Sequence, residues 1–217
     1  MQTPIETYHA KRLEEVAEAL RGNHFRAHVV PDAEAARALI LEKILPESGA
    51  ATVSFGGSMT LMATGLPAAL AEVPGLSVLD TLDRTLTAEQ AYERRRQALL
   101  VDLFFAGTNA VTEDGVLVNL DMIGNRACAI AFGPRQVVVL VGRNKIVPDL
   151  TAAFSRIKDF AAPTNAMRLS KKTPCVVSSH CEDCGSPERI CNVWTITEKS
   201  FPRGRITVIC INQDLGL

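Results

Sequence analysis

The chain has 217 residues, 47% of them hydrophobic, and a formal net charge of −1 at pH 7, which is enough for one domain with a substantial core. The near-neutral balance, with a pI near 6.4, supplies no electrostatic footprint for nucleic acid. No apolar run reaches the roughly 18 to 20 residues that a membrane-spanning helix needs. The polar start M-Q-T-P-I-E-T-Y-H lacks the apolar region of a secretory leader, so a cytoplasmic and reducing location is expected.

Leu13, Val16, Ala17 and Leu20 recur at helical spacing and Gly22-Asn23 follow as a stop, which predicts an amphipathic helix over 9–21. Phe25, Ala27 and Val29 alternate as a short strand. Asp32 is placed to cap a second helix that Pro46 ends. A-T-V-S-F reads as a buried strand entering Gly56-Gly57-Ser58-Met59-Thr60 and then a helix. Strand, glycine-rich turn and helix is the order in which parallel sheets build ligand sites.

L-S-V-L-D is the next strand, and Thr87 with Gln90 predicts a capping box for a helix through Leu100 whose Arg94-Arg95-Arg96 face solvent. D-L-F-F-A-G is a strand ending in T-N-A-V-T-E-D-G, where Asp114-Gly115 signals a turn. V-L-V-N-L-D then returns as the second arm of a hairpin. Q-V-V-V-L-V-G is apolar throughout and so central, and D-L-T-A-A-F-S-R-I-K-D-F-A-A is a helix closed by Pro163. This alternation predicts an α/β fold, an open, mostly parallel sheet with helices on both faces.

The chain reads as one domain over 1–217, with 170–217 an appendage. Its last two strands, N-V-W-T-I-T-E-K and R-I-T-V-I-C-I-N, are joined only by S-F-P-R-G and so are expected to pair antiparallel. Ahead of them lies the C-terminal Cys-rich loop. Cys175, Cys181, Cys184 and Cys191 are spaced C-x5-C-x2-C-x6-C with His180 among them, a supply of ligands for a structural zinc or an iron–sulfur cluster. Redox-active or merely packed thiols fit the same run. Cys128 and Cys210 sit in apolar runs and read as small core residues.

Two further stretches suit chemistry. Gly56, Gly57, Ser58 and Thr60 offer amides and hydroxyls to an anion, although a plain capped turn explains them equally well, and no nucleotide cofactor motif is present. Between 107 and 126 the chain concentrates Thr108, Asn109, Glu113, Asp114, Asn119 and Asp121, then Asn125 and Arg126. Glu113 and Asp114 are candidate base or nucleophile, and Arg126 is a candidate carboxylate clamp. Asn144 and Lys145 follow the central strand, at the edge where open α/β sheets bind ligands, with Lys145 as counter-ion or catalytic group. Turn-satisfying roles for these polar groups are the competing explanation.

G-G-S-M-T, T-N-A-V-T-E-D-G-V-L-V-N-L-D, G-N-R, V-G-R-N-K-I-V, A-A-P-T-N-A-M-R-L and C-E-D-C-G-S-P-E-R-I-C together resemble the LUD-domain proteins, the lactate-utilization family of LutC and YkgG type. Met122-Ile123 follow Asp121 where a glycine is more usual in that family. The resemblance implies a fold similar to the NagB/RpiA/CoA-transferase group. It also implies an accessory role in oxidising L-lactate, a 2-hydroxy acid, to pyruvate beside partner subunits that carry iron–sulfur clusters. The competing readings are a stand-alone isomerase or acyl-transfer enzyme acting through Glu113 on a small anionic substrate, and a zinc-stabilised binding protein without catalysis. Self-association as a homo-oligomer is compatible with the Ala-rich helices.

Overall fold

The computed structural model of the chain describes residues 3–217, so the leader reading at Met1 and Gln2 lies outside the described residues. Helix α1 spans Pro4–Gly22, five residues earlier than the apolar periodicity alone predicts. The reason is a capping box: Thr3 accepts from the Glu6 amide and the Glu6 carboxylate accepts from Thr3 N–H. Leu13, Val16, Ala17 and Leu20 are its buried face, as their spacing requires.

Strand β1 (Arg26–Val30) leads to α2 (Ala33–Leu39), capped by Asp32 through Ala35 N–H at 2.8 Å. Pro46 does not end the helical path. A π-turn at Ile40–Ile44 precedes it and α3 (Leu45–Ser48) contains it, ending at Gly49 with φ +63°. Pro163 repeats the arrangement further on. A π-turn widens the backbone where a proline ring would meet the carbonyl four residues back and where no amide is available, so both helices continue.

After β2 (Thr52–Phe55) come α4 (Met59–Ala63), α5 (Leu66–Ala71) and β3 (Ser77–Leu79). Helix α6 (Ala88–Gln97) carries the predicted Thr87–Gln90 box. Strands β4 (Leu103–Gly107), β5 (Ala110–Thr112) and β6 (Leu117–Asp121) follow, then α7 (Asn125–Ala131), β7 (Gln136–Gly142), β8 (Ile146–Val147) and α8 (Leu150–Ser155). The second π-turn, Arg156–Ala161, joins α8 to α9 (Ala162–Arg168), and α10 (Pro174–Ser178), β9 (Val193–Thr197) and β10 (Ile206–Ile211) complete the order.

Six strands form one all-parallel sheet in the order β1-β10-β7-β4-β2-β3. Alternate residues of each strand serve opposite faces. Phe104, Val137, Val139 and Val208 pack under α1, whereas Phe105, Leu140 and Ile209 pack against Ile40, Leu61 and Leu66. The predicted α/β architecture with helices on both faces is present. A second, mixed sheet, β8-β5-β6-β9, stands beside the first over its own small core with α8, where Phe154 meets Trp194 edge-on at 4.8 Å.

The last two strands do not pair with each other. β9 runs antiparallel to β6 in the second sheet, and β10 inserts parallel between β1 and β7 in the first. All six residues of β10 are buried, so it must be covered on both faces, and half-exposed β9 has no such requirement. Their connector is held instead by Asn23 and His24, whose carbonyls accept from Ser200 and Gly204 N–H. The end of the chain is thus integral to the main sheet rather than an appendage. Among the described residues no helix is long and apolar enough to cross a membrane.

The β5–β6 hairpin forms as Asp114-Gly115 predicts, and its tip presses on α1. At Gly115 φ is +84°, and a Cβ there would lie 2.8 Å from the backbone of Ala19 and Leu20. Gly115→Ala is therefore expected to lower folding stability by about 3 kcal/mol, combining left-handed strain with overlap. Chemical denaturation against the parent chain measures it.

Candidate functional site

The connections leaving β2 and β4 diverge: β2 continues outward to β3, and β4 leads through the second sheet to β7 on its other side. Ligands of open α/β sheets bind at such a divergence, beyond the carboxyl ends of the strands. A cavity of about 200 Å³ lies there, lined among others by Gly57, Ser58, Gly107, Thr108, Asn109 and Lys145. Gly107 makes the floor possible, because a Cβ on it would overlap the Ser58 hydroxyl and come within 3.1 Å of Ser58 Cβ. Ser58 caps α4 by accepting from Leu61 N–H at 3.2 Å. With only five residues, α4 has little dipole to offer an anion.

Arg126, on α7 and 8% exposed, occupies one wall. Its guanidinium donates to Asp121 Oδ1 from Nε (3.0 Å) and Nη2 (2.6 Å), to Asn119 Oδ1 and the Gly107 carbonyl from Nη1 (2.8 Å each), and to Asn109 Oδ1 from Nη2 (2.6 Å). The other Asp121 oxygen accepts from Ala127 N–H at 2.7 Å. Arg126 is thereby committed to protein acceptors. It shapes the cavity rather than waiting as an open carboxylate clamp.

Lys145 is different. It is 4% exposed, and its Nζ donates to the Thr108 carbonyl at 3.3 Å. Among the described residues no carboxylate forms an ion pair with it. Burial first, then the charges of Arg156 and Arg126, push its pKa down to about 7. Arg156 bonds the Asn144 and Asn109 carbonyls at 3.1 and 2.7 Å. Asn144 binds the segment at 215–216 by donating to Gly216 O and accepting from Leu215 N–H, and Thr60 donates to Leu215 O. This segment closes the cavity beside Lys145.

Residues 13–211 match the family model described as the LUD domain. The chain belongs to the LUD-domain family. That family is associated with lactate utilization. The crystal structure of a DUF162 family protein from Deinococcus radiodurans at 1.70 Å resolution is similar in fold, with a TM-score of 0.52 and 14% identity over 94% of this chain and 98% of that one. No curated protein matches the sequence.

Within this LUD domain the other candidates separate. Glu113 ion-pairs with Arg12 of α1 at 2.7 Å and is 47% exposed in its side chain, at the hairpin tip outside the cavity. Asp114 stays in the same turn, accepting from the Thr112 hydroxyl. Asn125 opens α7 without lining the cavity, and Gly56 lies behind Arg126, with its Cβ position 3.3 Å from Arg126 Cγ. Asn119 serves Arg126 from behind the wall. Asn165 and Arg168 of α9 line the mouth, with Arg168 Nε and Nη2 bonded to Asn165 Oδ1. They belong to the T-N-A-M-R-L stretch, and their spacing of three on a helix face was the available signal.

Cys175, Cys181, Cys184 and Cys191 line a second cavity of about 20 Å³ on the other side of Ile190, which lines both. All six cysteines are free. Among the described residues no three His, Cys, Asp or Glu side chains are grouped closely enough to hold a metal ion. His180 is exposed, with Nδ1 against the Ser178 carbonyl. Cys210 is a core residue, its thiol pushed up to about 12 by burial. Cys128, expected in the core, is exposed on α7 because α7 turns Arg126, Ala127, Ala129 and Ile130 inward.

Two outcomes are expected. Arg126→Met leaves Asp121 buried without its partner and should cost about 3–5 kcal/mol in urea titrations. Lys145 in the folded chain is neutral above about pH 7, whereas unfolded it keeps its proton to about 10.5, so between those values the unfolded state binds more protons and stability rises with pH. Lys145→Met removes that rise. Its gain in melting temperature over the parent should be largest below pH 7 and vanish above about pH 10.5.

Proposed function

We propose that this chain is an accessory component of 2-hydroxy-acid oxidation, taking L-lactate, or its product pyruvate, in the cavity between the β2 and β4 connections. The observation that carries the reading is Lys145, a buried amine whose pKa is pushed down to about 7 and which has no carboxylate partner among the described residues, in a wall that also holds Arg126 and Arg168. Such a cavity favours a small anion.

The carboxylate would sit toward protonated Lys145, Arg168 and the Ser58 hydroxyl, whose oxygen already accepts from Leu61 N–H while its own proton is left for a ligand. Oxidising a 2-hydroxy acid to its 2-oxo acid releases two electrons and two protons. The two electrons would go to the iron–sulfur clusters of partner subunits that the LutC-type resemblance implies, and the two protons to solvent. An isomerase or acyl-transfer role through Glu113 loses its support, because that carboxylate is tied to Arg12 outside the cavity.

Calorimetric titration with L-lactate, pyruvate and propionate between pH 6 and 9 tests the proposal. Lactate and pyruvate should bind more tightly than propionate, with affinity falling as Lys145 loses its proton. Lys145→Met should weaken binding at pH 6 by roughly 10- to 100-fold, the worth of a charged hydrogen bond, and flatten the pH profile. No binding at millimolar acid, or equal binding by the variant, would sink the idea.

A further inference from the structure

The second cavity has a construction of its own. Four thiols face it from α10 and the following loop, against Ala162 and Ala166 of α9. Its volume of about 20 Å³ admits one atom-sized occupant. The C-E-D-C turn is shaped around the first sulfur: Asp183 N–H donates to Cys181 Sγ at 3.4 Å, and Asp183 takes a left-handed φ of +46°. An amide aimed back at a cysteine sulfur supports its thiolate, the form that ligates metals.

One guanidinium sets the other side. Arg189 donates to the carbonyl of Cys184 at 2.7 Å and to that of Cys191 at 3.0 Å, and it pairs with Asp183 at 2.7 Å. Lys158, from the second π-turn, binds the same Asp183 oxygen at 3.1 Å. The turn carrying Cys181 and Cys184 is thus fastened both to the strand-side cysteine and to the helix that walls the cavity.

We propose that Cys175, Cys181, Cys184 and Cys191 form a tetrathiolate site for one soft divalent transition-metal ion, zinc(II) or iron(II), that closes the loop onto α9. Each thiol gives its proton to solvent as its sulfur ligates, so one ion and four thiols yield a complex of net charge −2 and four protons. Lys158 and Arg189 stand beside that charge. The sulfurs must move inward to about 2.3 Å from the ion, because among the described residues no three of them are grouped closely enough to hold it. The inference is independent of the lactate reading, since it concerns the other side of Ile190.

Cobalt(II) added to reduced, chelator-treated full-length chain is the probe. One cobalt per chain should bind, with thiolate-to-cobalt charge-transfer absorption and tetrahedral d–d bands that zinc abolishes. Zinc should also withdraw four thiols from a chromogenic disulfide reagent while Cys128 stays reactive, and should raise the melting temperature. Cys181→Ser and Cys184→Ser should lose the charge-transfer bands, and Cys128→Ser should keep them. The stoichiometry and thiol count on the parent chain stand even if a variant misfolds. Absence of cobalt bands in the parent chain, or of thiol protection by zinc, overturns the site. More than one iron with acid-labile sulfide per chain after anaerobic purification overturns the single-ion assignment.

Discussion

The buried pair of Arg126 and Asp121 is the interaction on which the rest of the site depends. Asp121 ends β6 of the second sheet, and Arg126 reaches from α7 to the Gly107 carbonyl at the end of β4 in the first. A charge taken out of water is tolerated only when nearly every hydrogen bond is returned to it. Asn109, Asn119 and the Ala127 amide supply the remainder. The two sheets are therefore held at one relative position by a polar network, and the cavity is the space which that network leaves in front of β2 and β4.

That same network explains why Lys145 behaves unlike a surface lysine. Asp121 is paired with Arg126, and among the described residues Lys145 bonds the Thr108 carbonyl and stands near the cations Arg156 and Arg126, whose charges add to burial in lowering its pKa. The polar pair joins the two sheets, and the amine beside it is left without a carboxylate partner among the described residues.

Much of the architecture was legible locally. The Thr87–Gln90 box, the Asp32 cap, the Asp114-Gly115 turn and the apolar runs of β4 and β7 each act within a few residues, where spacing alone decides. The cavity lining was legible where it followed strand ends: Gly57, Ser58, Thr108, Asn109 and Lys145 all reach the candidate cavity. Glu113 looked equally chemical in sequence, but Arg12 lies a hundred residues away and no pattern near Glu113 announces it. Pro46 and Pro163 looked like helix ends because the π-turns that accommodate them have no residue signature.

The sequence by itself determined the alternation of helices and strands, the caps, the hairpin and the gathering of four thiols in one loop, since each depends on neighbours along the chain. Tertiary structure decided which strands pair, that β10 enters the main sheet while β9 joins the other, and that Arg126 is spent on Asp121 while Lys145 is not. Those outcomes turn on burial and on which distant group reaches a charge first. Neither quantity is carried by local spacing.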